Sequence, residues 1–267
     1  MRDPVVAGRF YPADKNKLKA AVVDYFKQPE QKTPVEAFAI IAPHAGYVYS
    51  GGLAAKTINS VCIPETVLLL GPNHTGQGSP ASLSQQDWST PLGEVTTNSE
   101  LIRLISQQNK NIVIDETAHT LEHSLEVQLP FLQVLQDMLT IVPLTLGQLS
   151  YARCEEIAES LYRSISAYHS TVLILASTDM NHFESRSVSQ AKDKLALNAI
   201  EAMDPCTLYT TVQKNNISMC GVIPVVITLL LCLKMGARTA TLVDYMDSGD
   251  ISLDTKQVVG YAGVIIQ

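Results

Sequence analysis

The chain has 267 residues, 46% of them hydrophobic and 17% charged, enough apolar material for a large buried core and the balance of a globular α/β protein. Its formal charge is −7, with Lys and Arg scattered rather than striped, which argues against a nucleic-acid partner, because such a partner demands a face of phosphate-facing cations. The longest apolar stretch, Val222 to Leu233, is interrupted by Pro224 and Thr228 and is too short to span a membrane. The start, Met1-Arg2-Asp3-Pro4, carries no apolar signal segment. Cys62, Cys154, Cys206, Cys220 and Cys232 are odd in number and form no C-x-x-C pair, a pattern expected of reduced thiols in the cytoplasm.

In chain order, a strand over Ala37–Ala42 leads to a helix at about Gly52–Asn59. A strand over Thr66–Leu70 precedes a stretch rich in Gly, Ser and Pro, Thr75–Ser89. That stretch, taken as a loop over 75–95, is long enough to be functional or to close over a site. A helix at about Ser99–Gln107, a short strand at Ile112–Ile114, a helix at about Leu125–Leu135 and a strand at Thr140–Leu146 follow. Next come a helix at about Ala152–Ser166 and a strand at Thr171–Ala176. Three helices, about Arg186–Ala202, Pro205–Lys214 and Gly221–Lys234, precede two closing strands, Thr239–Tyr245 and Val258–Ile265. Alternation of this kind predicts βαβ units and a mainly parallel central sheet with helices on both faces. The near-continuous apolar strands agree, since parallel strands are buried on both sides. Without a linker or internal repeat, residues 1–267 read as a single domain.

Three apolar strands end just before a histidine: His44 in Ala42-Pro43-His44-Ala45-Gly46-Tyr47, His74 in Gly71-Pro72-Asn73-His74, and His182 in Asp179-Met180-Asn181-His182. In an open α/β sheet, ligands bind beyond the carboxyl ends of the strands. Three imidazoles aimed there suggest a metal site, an acid/base site, or both. Asp179, three residues before His182, can orient that imidazole or bind a metal. Cys220 opens an apolar helix, where a helix N-terminus favours thiolate; a thiolate beside histidines suits iron, copper or zinc. From residue type alone, an isolated cysteine such as Cys220 is more often a small buried hydrophobe. His119-Thr120-Leu121-Glu122-His123 matches H-x-x-E-H, which on a helix would bind zinc with Glu122 as base and Glu201 as a third ligand. The competing reading puts His123 and Glu126 near the crevice. No G-x-S-x-G elbow, P-loop or G-x-G-x-x-G follows a strand, so serine-hydrolase and nucleotide chemistry lack support.

Six segments, PVVAGRFYP from Pro4, APHAGYVYSG from Ala42, LLGPNHTG from Leu69, EHSLEVQLPFL from Glu122, STDMNHF from Ser177 and CGVIPV from Cys220, together resemble the Memo-like family, known in prokaryotes as AmmeMemoRadiSam system protein B. They cover almost the whole chain in the family's order. The resemblance implies a fold similar to the class III (LigB-like) extradiol dioxygenases, which are non-haem iron enzymes. It implies His44, His74 and Cys220 as ligands of iron(II), with copper or zinc as alternatives. It implies His182, with Asp179, as the acid/base group, and His123, Glu126, Tyr47 and Asn73 as pocket residues. A thiolate where the dioxygenases carry a carboxylate points away from ring cleavage and toward other redox or oxygenase-like chemistry on a small molecule. The alternatives are a non-enzymatic metal- or peptide-binding protein and the zinc peptidase built on His119, Glu122 and His123. A homo-oligomer is compatible with the sequence.

Overall fold

Four neighbouring strands explain most of the architecture, and each alternates its side chains between two cores. The computed structural model describes residues 1–27 and 33–267. In chain order its elements are α1 (Lys15–Phe26), β1 (Ala39–Ala42), α2 (Gly52–Ile58), β2 (Thr66–Pro72), β3 (Ala81–Leu83), β4 (Trp88–Thr90), β5 (Gly93–Thr97), α3 (Ser99–Gln108), β6 (Val113–Ile114), α4 (Leu129–Leu135), β7 (Thr140–Leu146), α5 (Tyr151–Ala167), β8 (Val172–Ser177), β9 (His182–Glu184), α6 (Arg186–Glu201), α7 (Pro205–Lys214), α8 (Val222–Met235), β10 (Ala240–Asp247), α9 (Gly249–Ser252) and β11 (Val258–Ile266). Among the described residues the sheet runs β10-β11-β1-β8-β2-β7-β3-β6. Its centre, β1-β8-β2-β7, is parallel throughout, as the βαβ alternation requires. Antiparallel β11 and β10 extend it on one side, and β3 joins β7 antiparallel on the other.

The strand pleat sorts the core. Val172, Ile174 and Ala176 of β8 point into one apolar cluster with Leu68, Leu70, Ile157, Leu161, Val225 and Leu229. The intervening Leu173 and Leu175 point into the other, with Val67, Leu69, Leu18, Ile58 and Phe131. The helices therefore cover both faces: α3, α5 and α8 line the first cluster and α1, α2 and α4 the second.

Four sequence expectations change. Helix α1 was not anticipated, yet its signals are present: Asp14 accepts from the backbone N–H of Lys17, and Leu18, Val22 and Phe26 share one buried face. The stretch 75–95, read as a long loop, contains β3 and β4 and the start of β5, with β5 paired parallel to β7. Here backbone pairing with β7 outweighs the turn-rich composition. The helix expected from Leu125 begins as a 3₁₀ turn at Glu126–Gln128 and becomes α4 at Leu129. Pro130 in its first turn explains the late start, since proline there costs no backbone donor. The short strand β9, pairing with β11, was also unforeseen.

Register brings the strand ends level. Ala42 lies opposite Ser177 across β1 and β8, and Leu70 lies opposite Ala176 across β2 and β8. His44 follows β1, and His74 follows β2. Since β8 lies between these two strands, the histidines flank Ser177 at the carboxyl ends of the central strands, the position of a ligand crevice in this class of fold.

Candidate metal centre

Two close backbone approaches assemble the site. At Gly71 a Cβ would stand 2.5 Å from Leu125 Cδ2 and 2.7 Å from Ser124 Oγ, so glycine gives the side chains of the 122–125 segment room against the end of β2. That segment carries Glu122 and His123. At Gly221 a Cβ would stand 2.4 Å from Thr178 Cβ and 2.6 Å from the Ser177 carbonyl oxygen. Glycine there lets the start of α8 meet the end of β8, bringing Cys220 beside Asp179 and His44.

His44, His74 and His123 present ligand atoms that all lie within 4.8 Å of one another, a group able to hold a metal ion. The His44 ring stands nearly perpendicular to those of His74 (81°) and His123 (86°). By contrast the His74 and His123 rings stack, 20° apart in plane and 4.7 Å between centroids. Imidazole lone pairs lie in the ring plane, so the stacked pair cannot both aim at one ion without one ring turning. The perpendicular arrangement lets His44 converge with either.

His74 is the better held of the stacked pair. Its backbone N–H donates to Glu122 Oε2 at 2.6 Å and its Nδ1 meets Glu122 Oε1 at 2.9 Å. Burial opposes the charged form of His74, but the hydrogen bond and charge of Glu122 outweigh it and raise its pKa. Burial likewise pushes against ionised Glu122, yet the bonds from His74 and from the backbone of Ser124 hold it down at about 2. An ionised carboxylate can only accept, so Nδ1 of His74 carries a proton, and in the neutral ring Nε2 keeps the lone pair that could bind a metal. A carboxylate behind a ligand histidine in this way fixes its orientation and raises its basicity.

His44 is fully inside, 2% exposed. Burial first, then the neighbouring imidazoles of His74, His123 and His182, hold its pKa well below the usual value, so it is neutral and competent as a donor. Its Nε2 lies 3.3 Å from Cys220 Sγ. A nitrogen and a sulfur on one tetrahedral ion would stand roughly 3.5 Å apart, from bond lengths near 2.0 and 2.3 Å. The Cys220 sulfur also accepts the backbone N–H of Asp179 at 3.2 Å. Sequence reasoning gave Cys220 a lowered pKa from its helix start; instead burial, followed by the Asp179 carboxylate, pushes the thiol up. Deprotonation would thus accompany metal binding rather than precede it. This donor set, imidazole with a soft sulfur, fits iron, copper or zinc and not magnesium or calcium.

The other expected site residues fall into two groups. Asp179 is at the centre: its Oδ1 accepts the backbone N–H of His44 at 2.8 Å. Burial raises its pKa to about 7 despite the donors from His44 and Ala45. The expectation that Asp179 orients His182 gives way to Ser218, whose carbonyl oxygen lies 2.9 Å from His182 Nδ1 and whose Oγ accepts the His182 backbone N–H. Burial lowers the His182 pKa, with the Ser218 carbonyl opposing. His123 packs edge-on against Phe10. Glu126, Tyr47 and Asn73 serve as supports. Buried Glu126 accepts from the N–H groups of Val5 and Val6 and the hydroxyl of Tyr11 and pairs with Arg2 at 2.8 Å. This anchors the N-terminal segment that carries Phe10. Tyr47 stacks on Phe131 and donates its hydroxyl to the Val127 carbonyl. The Asn73 side chain closes the turn after β2 by accepting from the N–H groups of Thr75 and Gly76.

The zinc motif is overturned. Residues 119–123 are not helical but run from a turn at His119 through bends to an irregular segment at Glu122 and His123, so His119 and His123 do not share a helix face. Both His119 nitrogens are engaged elsewhere, Nε2 with the Ser82 carbonyl at 2.9 Å and Nδ1 with Thr145 Oγ1 at 3.1 Å. Glu122 serves His74 instead. Sequence reasoning missed that role, along with those of Ser177, Gln128 and Ser218. Gln128 is one of three polar residues, with Glu126 and Gln133, in the mostly apolar run Leu125–Leu135, and nothing local distinguishes it.

A family model described as Memo-like protein matches residues 2–265. A MEMO1 family protein of Archaeoglobus fulgidus is 40% identical over the whole of both chains. MEMO1 family proteins of Methanopyrus kandleri and Aquifex aeolicus are 38% and 39% identical, over 100% and 99% of this chain and 99% and 98% of theirs. The chain belongs to the Memo-like protein family. Among the described residues, no helix is long and apolar enough to cross a membrane.

Proposed function

We propose that this chain binds a redox-active transition metal, iron(II) in preference to copper or zinc, through His44, His74 and Cys220, in a crevice that also receives a small molecule. The observation that carries the reading is the convergence of perpendicular His44 and His74 rings, one backed by Glu122 and the other 3.3 Å from a thiol. His123, stacked on His74, forms the wall of the crevice with Phe10. When bound, the metal would supply Lewis acidity and one-electron chemistry. The protein's part is to hold neutral His44, to orient His74 through Glu122 and to present Cys220 for deprotonation as the metal binds. Ser218 keeps Nδ1 of His182 as a donor, so Nε2 of His182 is free to accept a proton from the small molecule or return one. The reaction class this supports is redox or oxygenase-like chemistry.

Anaerobic titration with iron(II) tests the ligand set. The parent is expected to bind one equivalent, and His44→Ala, His74→Ala and Cys220→Ser each to lose tight binding. If all three bind iron(II) as the parent does, the assignment fails.

A further inference from the structure

A short chain of buried hydrogen bonds behind His44 has room for only one arrangement of protons. Ser177 Oγ, at the end of β8, touches three groups: His44 Nδ1 at 2.9 Å, Gln128 Nε2 at 2.9 Å and the Ser124 carbonyl oxygen at 2.7 Å. Gln128 Nε2 also donates to the Pro43 carbonyl at 2.9 Å. All of these side chains are buried.

Both ends of the chain are backbone carbonyls, which only accept. The Pro43 carbonyl fixes the Gln128 amide: turning it over would set its oxygen against another oxygen. Gln128 Oε1 is left buried with no hydrogen-bond partner. An amide that leaves its acceptor unpaired to place both donors is oriented by them. Ser177 Oγ therefore receives an N–H from Gln128. Its single proton goes to the Ser124 carbonyl. A hydroxyl has one donor and two acceptor positions, so what remains toward His44 is an acceptor.

We infer that Ser177, set by Gln128, is a positioning residue that holds His44 as the Nδ1–H tautomer and turns the Nε2 lone pair toward Cys220. The value of this to a metal rests on the function proposed above; the proton arrangement itself does not. It parallels the role of Glu122 behind His74, with a neutral hydroxyl replacing the carboxylate. The two ligand histidines would then differ in basicity, since only one has an anion behind it.

The test reads the tautomer directly, in metal-free protein, by long-range ¹H–¹⁵N NMR of ¹⁵N-histidine-labelled chain. The parent is expected to show His44 protonated at Nδ1 and bare at Nε2. Ser177→Ala should populate the Nε2–H form, and Ser177→Thr, which keeps the hydroxyl, should restore the parental pattern. Iron(II) affinity should fall about 10–100-fold in Ser177→Ala and recover in Ser177→Thr. A proton on Nε2 of His44 in the parent overturns the inference, as does a Ser177→Ala spectrum that keeps pure Nδ1–H. A parent that shows the Nδ1–H pattern but binds no iron(II) upholds the tautomer assignment and strikes the metal reading instead.

Discussion

Glu122 meets His74 twice, its Oε1 2.9 Å from Nδ1 and its Oε2 2.6 Å from the backbone nitrogen. One carboxylate thus fixes both where the imidazole sits and which nitrogen is bare. Glu122→Gln would keep the shape but replace an obligatory acceptor with an amide. Iron(II) affinity is expected to fall about 10–100-fold, measured by anaerobic competition with a chelator, while the far-UV spectrum stays parental.

The same pair sets a pH dependence in the metal-free protein. Folding holds Glu122 at about 2, below its ordinary 4.5, so its contribution is complete above pH 4.5 and is lost as pH falls toward 2. His74 is raised above 6.5, so its contribution is complete below pH 6.5 and is lost as pH rises through the folded value. The urea midpoint should therefore lose less in Glu122→Gln than in the parent as pH falls below 4.5. Parallel curves for the two proteins would contradict the pairing.

Arg2 and Glu126 form a buried ion pair, 5% and 0% exposed, at 2.8 Å. Arg2→Met leaves Glu126 with the donors from Val5, Val6 and Tyr11 but with no cation. Urea unfolding should show a loss of about 3 kcal/mol. Because this pair anchors the segment carrying Phe10, the His123 ring resonances should shift as well.

His119→Ala separates the site from the abandoned zinc motif. Removing the imidazole leaves the buried Ser82 carbonyl and Thr145 hydroxyl without the partner each has now. Stability should fall by about 1–3 kcal/mol, and iron(II) stoichiometry should not change.

Gly221→Ala tests the approach that brings Cys220 to His44. Its Cβ would press on Thr178 Cβ and the Ser177 carbonyl, the latter a backbone atom that cannot rotate aside. A loss of about 1–3 kcal/mol is expected from such overpacking, together with weakened iron(II) binding. Unchanged stability would mean the segments part easily.

How much of this was legible beforehand follows from the range of each signal. The parallel strands and most helices could be read from local apolar runs, and the ends of β1 and β2 located His44 and His74. Cys220 had only a weak local signal, its place at the start of an apolar helix; the family resemblance made it a ligand, because its neighbours Asp179 and His44 lie 41 and 176 residues away. The H-x-x-E-H match misled because its helix never forms: backbone turns place Glu122 against His74 instead. The strands β3 to β5 were hidden because β3 and β5 pair non-locally with β7, β4 pairs in turn with β5, and their composition is that of turns. Ser218 could not be singled out, since a serine in a polar turn becomes informative only once β9 sets His182 beside it.

Anomalous diffraction from anaerobically iron-loaded crystals would locate the metal among these side chains. One iron peak is expected, bonded to a nitrogen of His44, Nε2 of His74 and Sγ of Cys220, with His123 stacked alongside. A peak bonded to His119 and His123, or one that leaves Cys220 outside the coordination sphere, would contradict the proposed ligand set.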